Sequence, residues 1–182
     1  MDIINEQDTT PWYAVRLFSL KLKEVRGYFI SKELDCFVPM TYMDVEDKET
    51  HRVKHELKPV VHNLIFVKKT MEEKDMRKIV MDSPYKMAVI KKSRESLEYY
   101  EIPARQMYEF QMMCNPDILM RKYLSEGEAK LKKGTPVMVH FGPLKGLTGK
   151  LVRSNKKYYL LKEVPGMGVM LKVSRWCCKP IE

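Results

Sequence analysis

Short apolar runs alternate with strongly charged stretches along this chain, and two of the intervals between strands carry a helical repeat. Trp12–Phe18 (W-Y-A-V-R-L-F) is aromatic and apolar behind Pro11, which predicts a first strand. In Lys21–Leu34 the residues Leu22, Val25, Phe29, Ile30 and Leu34 recur at three- and four-residue spacing, which predicts an amphipathic helix weakened by Gly27. Cys36–Tyr42 predicts a second strand, with Pro39 placing it at an edge or a bulge. Asp44–Lys58 is almost wholly polar and fits a solvated hairpin or loop. Val60–Val67 is apolar on both faces apart from His62 and Asn63, as expected of a central strand. Thr70–Asp82 predicts a second helix, with Thr70 and Glu73 spaced as a capping box. Met87–Ile90 is a short strand, and Tyr99-Tyr100 fits another. A third helix starts at Pro103 and runs to about Cys114.

Beyond Asn115-Pro116 the pattern changes. Asp117–Lys130 is a connector in which Ile118–Leu124 can pair as a strand and Ser125–Glu128 reads as loop. Five short apolar runs then follow at Val137–Phe141, Leu147–Val152, Tyr158–Lys162, Val169–Val173 and Trp176–Lys179, separated by Gly-rich turns. That spacing predicts a small β-barrel. The whole reads as an α+β protein, with an α/β sandwich on a mainly antiparallel sheet followed by the barrel. Domain bounds are expected at 1–115 and 131–182, with 116–130 between them.

Charge sharpens this division. Of the formal net charge of +9, all lies after residue 130, where 11 Lys and Arg face only Glu163 and Glu182. The earlier 130 residues carry 22 charges of each sign. A basic module of this kind suits a polyanionic partner, most simply nucleic-acid phosphates, although a solubilising face carries the same signature. The four cysteines have no zinc-type spacing, and buried, reduced thiols are expected. No 18-residue apolar run and no basic-then-apolar leader is present, so a cytoplasmic protein without membrane partners is expected. His51 and His55 have the H-x-x-x-H spacing, but neither a third ligand nor an apolar helical repeat accompanies them, so no metal is expected. Nucleophile and phosphate-loop motifs are absent, and none of the four histidines has an evident carboxylate partner. No catalytic residue, cofactor or enzymatic activity is expected.

The segment Val137–Arg153 holds Gly142-Pro143-x-x-Gly146-x-x-Gly149 between two apolar strands and resembles a KOW motif. W-Y-A-V at Trp12–Val15, C-F-V-P-M at Cys36–Met40 and V-H-N-L-I-F-V at Val61–Val67 resemble the N-terminal domain of NusG-type transcription elongation factors. The resemblance covers nearly the whole chain and implies an NGN-type domain joined to an SH3-like KOW barrel. The C-F-V-P-M and N-L-I-F-V words lean towards specialised paralogues of the RfaH and UpxY type, which act as antiterminators. Val61-His62 stands where the family has Phe-Pro, and Leu64 replaces an aromatic.

The resemblance implies docking on the clamp helices of RNA polymerase through Val61, Leu64 and Phe66, acting as a monomer to raise processivity. Strand core packing is the alternative for these three. It also implies that Lys21, Lys23, Arg77 and Lys78 touch the non-template DNA strand, although a solvated helix face explains them equally. In the basic module Lys145, Lys150, Arg153, Lys156 and Lys157 are the candidate RNA contacts, with Tyr158 or Tyr159 available for base stacking and one of the two expected in the barrel. Family members use this module on a ribosomal protein, a termination factor or RNA. A ribosome-associated or stand-alone RNA-binding protein is the rival reading.

Overall fold

A computed structural model describes residues 6–118 and 120–182 of the protein. The chain forms two compact units. One comprises Trp12–Glu101 with Asn115–Asp117; the other takes in the described residues up to Pro11, Ile102–Cys114 and the chain from Ile118 onward.

In the first unit four antiparallel strands lie in the order β2-β5-β1-β6, with β1 Trp12–Leu17, β2 Cys36–Phe37, β5 Leu64–Lys68 and β6 Met87–Val89. β5 is an inner strand, as its apolar sequence requires, but it starts at Leu64 rather than Val60. Tyr13, Val15, Leu17, Ile65 and Val67 point to one face and form a core with Leu22, Val25 and Phe29 of helix α1 (Leu22–Ser31) and Met76 of helix α2 (Glu73–Met81).

Helix α1 ends in a Schellman motif. The Leu34 amide donates to the Phe29 carbonyl at 3.1 Å and the Glu33 amide to the Ile30 carbonyl at 2.9 Å. Glu33 takes the left-handed φ of 60° that this closure needs. Gly27 of α1 is exposed, and a Cβ there would meet nothing within 4 Å. Gly27→Ala is therefore expected to stabilise this unit by about 0.5–1 kcal/mol, read as a higher denaturation midpoint in urea. The capping box expected at Thr70 is absent. Helix α2 instead begins after Glu72 without a side-chain cap, because Thr70 lies two residues too early.

The run Cys36–Tyr42 is two strands, not one. It breaks at Val38-Pro39, since proline cannot donate to the ladder. β3 (Met40–Glu46) leaves the sheet and pairs with β4 (Val53–Pro59) in a two-stranded hairpin, in register from Met40↔Pro59 to Glu46↔Val53. At its tip the Asp47 carboxylate accepts from the Thr50 and Glu49 amides, each at 3.0 Å, and from Lys54 Nζ at 3.0 Å. Those donors, the Thr50 amide foremost, pull its pKa from 3.8 down to about 2. A depressed carboxylate favours the ordered tip above its unfolded value and loses that contribution as pH falls. The Glu49 and Thr50 amide resonances are accordingly expected to titrate with a midpoint near 2 in NMR spectra.

The second unit is a six-stranded antiparallel sheet in the order β12-β8-β9-β10-β11-β7. Its strands are β7 Arg121–Ser125, β8 Thr135–Val139, β9 Thr148–Ser154, β10 Lys157–Val164, β11 Met167–Lys172 and β12 Cys178–Pro180. β7 comes from the connector and pairs with β11 from Arg121↔Leu171 to Ser125↔Met167. The stretch expected to be loop after it is helix α4 (Glu126–Leu131). The Glu128 amide donates to Ser125 Oγ at 3.3 Å, and the Ser125 amide donates to the Glu128 carboxylate at 2.8 Å. This is a complete capping box. Ala129 of α4 joins Val152, Tyr159, Leu161 and Met170 in the core of this unit. Gly149 permits close strand approach, since a Cβ there would sit 2.5 Å from the Leu161 carbonyl oxygen.

Helix α3 (Ala104–Met113), expected within an N-terminal domain of residues 1–115, belongs to this second compact unit. Its Glu109, 1% exposed, accepts from the Lys162 ammonium of β10, from the Thr148 amide at 3.1 Å and from Thr148 Oγ1 at 2.7 Å. Gln106 Nε2 donates to the Glu163 carbonyl at 2.6 Å. These polar ties, not apolar burial alone, place the helix on the sheet.

Candidate functional site

Because successive strand residues face opposite ways, the residues of β1 and β5 that do not enter the helix-covered core define a second sheet face. Ala14 pairs with Phe66 and Arg16 with Leu64 across β1 and β5, and Phe37 pairs with Phe66 across β2 and β5. The Phe37 and Phe66 rings lie 6.3 Å apart. This apolar face is the place to which Leu64 and Phe66 were assigned as polymerase contacts. Both are buried in the folded chain, at 3% and 0% exposure, and Val61 is half-buried ahead of the strand. As folded here, Leu64 and Phe66 serve packing, and contact through them requires that they be uncovered.

The basic helix residues lie on the opposite layer of the unit. Lys21 is the N-cap residue of α1; it and Lys23 are exposed, as is Lys78 on α2. Arg77 is occupied. Its guanidinium donates to Glu73 and to the Leu97 carbonyl and stacks 4.3 Å from the Tyr99 ring centre, tying the turn before Tyr99 to α2. Glu73 first, and the nearby Tyr99 and Tyr13, hold its pKa above the ordinary value.

In the second unit Asn155 and Lys156 form the two-residue turn from β9 to β10, both with positive φ (48° and 62°). Such a turn matches the twist of antiparallel strands, and it presents Lys156 and Lys157 to solvent. Arg153 and Tyr158 are directly opposite each other across the same two strands. Strand alternation separates the tyrosines as expected: Tyr159 is 2% exposed in the core, and Tyr158 faces outward. Lys145 is exposed in the β8–β9 loop, where Gly142 and Gly146 take φ of 85° and 90°. Lys150 differs from the others, because its ammonium is paired with Glu163 at 2.6 Å.

Arg175, Trp176 and Phe141 did not emerge from sequence reading. The Arg175 guanidinium lies 5.9 Å from the Tyr158 ring centre, the same distance as that of Arg153. Trp176–Lys179 was expected to be one strand, but Arg175–Cys177 is a turn of 3-10 helix ahead of β12, and it leaves Trp176 91% exposed.

The N-terminal strand–helix order and its sheet lie within a match to the family model described as transcription termination factor nusG, over residues 10–111, more than half of the chain. The chain belongs to the NusG family. A search of curated proteins gives no match. NusG proteins are non-enzymatic transcription factors that bind RNA polymerase, which gives this chain a role in transcription. The matched segment ends within α3, at residue 111, so part of the NusG-type sequence contributes to the second compact unit.

The titratable groups outside these faces have structural work in this NusG-family chain. His51 and His55 do have carboxylate partners, contrary to the sequence reading. Their Nδ1 atoms lie 2.9 Å from Glu46 and 2.7 Å from Asp44. The hairpin register supplies the second pair by setting Asp44 opposite His55, which stacks on Tyr42 with ring centres 4.9 Å apart. Burial pushes the thiols of Cys36 and Cys114 up to about 12, which leaves them poor nucleophiles. Among the described residues, no three His, Cys, Asp or Glu side chains group to hold a metal, and no helix is long and apolar enough to cross a membrane.

Proposed function

We propose that this protein is a transcription elongation and antitermination factor of the specialised RfaH or UpxY kind. Its N-terminal unit docks on the clamp helices of RNA polymerase and raises processivity, and its C-terminal unit serves as a KOW-type module that contacts RNA. The observation that carries this reading is the second apolar face of the four-stranded sheet in a chain of the NusG family. That face holds Leu64, Phe66, Ala14 and Phe37 on the side away from α1 and α2, and Val61 lies in the chain just ahead of β5. Ala14, Leu64 and Phe66 are buried in the folded chain, so this face is available to polymerase once it is uncovered, and it then offers the contiguous apolar surface that a docking site needs. Lys21, Lys23 and Lys78 are then available to the non-template strand, whereas Arg77 is committed to Glu73 and Leu97.

The RNA assignment is supported by the charge step, with 11 basic residues against two acidic ones after residue 130. Docking on a ribosomal protein or a termination factor does not require such a charge. The same step would suit a stand-alone RNA-binding protein, but the NusG match over residues 10–111 favours a chain that also binds polymerase.

The test is a pull-down of core RNA polymerase by the full chain, wild type against Val61→Glu. Val61 is half-buried and outside the sheet ladder, so the substitution spares the core. Wild-type binding and a loss of about tenfold or more in the variant, the scale of one apolar contact replaced by a charge at an interface, support the reading. Wild-type chain that fails to bind polymerase overturns it.

A further inference from the structure

We propose that the C-terminal unit carries a stacking site for an unpaired RNA nucleotide, built by Trp176 with Arg175, Tyr158 and Arg153. The inference deepens the RNA-contact reading above and rests on it.

Trp176 is 91% exposed, a costly position for the largest side chain unless a partner covers it. It is not an isolated surface aromatic. The His140 amide donates to the Cys177 carbonyl at 2.7 Å, extending the β8–β12 ladder by one step past Val139↔Cys178. The next residue beyond this step on each side is an exposed aromatic, Trp176 in the 3-10 turn before β12 and Phe141, 62% exposed, in the loop after β8. Beside Trp176 in the chain, the Arg175 guanidinium shares the Tyr158 ring with Arg153. Neither arginine has a carboxylate partner among the described residues. Their charge is therefore available to a ligand, unlike that of Lys150, paired with Glu163, or Lys162, paired with Glu109.

The chemistry selects the occupant. An exposed indole offers a flat apolar face for a base, and free guanidinium groups offer planar donors for phosphate oxygens. Lys156 and Lys157 continue the positive charge from the adjoining β9–β10 turn. A paired helix hides its base faces in the stack, so an aromatic platform favours unpaired nucleotides. A protein partner held by Trp176 would not need two unpaired arginines around one tyrosine.

The experiment measures binding of the full chain to fluorescently labelled oligouridine, to a fully paired hairpin RNA of equal length and to oligothymidine. Trp176→Ala is expected to weaken oligouridine binding about 5- to 150-fold, the cost of one base–aromatic stack, and to leave hairpin binding unchanged. Lys156→Gln is expected instead to weaken both RNAs and to lower the salt dependence for the single strand by about 0.7 in the logarithmic slope. Trp176 is exposed, so its removal spares the fold, and circular dichroism of the variant checks this. Wild-type oligouridine binding that Trp176→Ala leaves intact would overturn the stacking site while sparing the RNA reading. Oligothymidine bound as tightly as oligouridine would overturn the assignment to RNA. Failure of the wild type to bind any RNA removes both.

Discussion

Glu109→Leu is expected to destabilise the C-terminal unit by about 3–5 kcal/mol, the usual consequence of removing one member of a buried ion pair. The reason lies in what remains. Lys162 is 9% exposed on β10 and would keep its ammonium in the interior with only Thr148 Oγ1, 3.1 Å away, as a partner. Thr148 would lose the acceptor of both its amide and its hydroxyl. Arg105, whose Nε donates to Glu109 at 2.7 Å, is half-exposed and can turn to water at little cost. Burial alone would raise the Glu109 pKa, but Lys162, Thr148 and Arg105 together hold it below the ordinary value. Its contribution is thus present above the unfolded carboxylate range and is lost as pH falls through the lowered folded value. The double change Glu109→Leu/Lys162→Met is expected to recover most of the loss, because a hydrophobic pair of similar volume can replace a buried ion pair. Hydrogen exchange at the amides of β9 and β10 reads both effects within this unit; a single variant as stable as wild type would mean that the pair contributes nothing.

The same ion pair shows why composition misplaces the border between the units. The charge step falls after residue 130, yet α3, β7 and α4 fold with the sheet that follows it. A lone glutamate within a helix reads as a solvated residue, and only the fold brings Lys162 and Thr148 to it across 53 and 39 residues. Local chemistry was readable elsewhere. Alternation separated Tyr158 from Tyr159, and the polar run after Asp44 became a hairpin. The S-x-x-E signal at Ser125 was also present, but Gly127 and its charged neighbours obscured it. Pro39 marked a break that the sequence left as an edge or bulge, because a proline alone does not say which sheet each half will join.

The candidate contacts divide along similar lines. The exposed lysines of the β9–β10 turn follow from a two-residue connection between strands, so their presentation was legible. Arg77 and Lys150 look like free cations in sequence, and tertiary structure commits them to Glu73 and Glu163. Trp176 was hidden for the opposite reason. Read as a strand residue it belongs to a barrel, and only the 3-10 turn before β12 moves its ring into solvent.

Phe29→Ala is expected to destabilise the N-terminal unit by about 3–5 kcal/mol, the range for truncating a buried phenylalanine to alanine. Phe29 is 0% exposed in the core formed by Tyr13, Val15, Ile65, Val67, Val25 and Met76. Its carbonyl also receives the Leu34 amide that closes α1, and Leu34 is buried in the same core. Truncation therefore opens a cavity where helix, sheet and helix terminus meet, and such a site has little freedom to collapse. Exchange of the Ile65 and Val67 amides, in the strand beneath, is expected to accelerate in step with the lost stability, and unchanged protection there would contradict the placement of Phe29 at the centre of this core. The variant also separates fold from function. Phe29 serves the helix-covered face of the sheet, whereas Val61 adjoins the strand whose Leu64 and Phe66 face the other way. If that second face docks polymerase, Phe29→Ala weakens binding only in proportion to the unfolded fraction, and mild conditions or an added osmolyte restore it. Val61→Glu weakens binding in a chain that remains fully folded. The two faces of one sheet are thereby distinguished by whether binding follows stability.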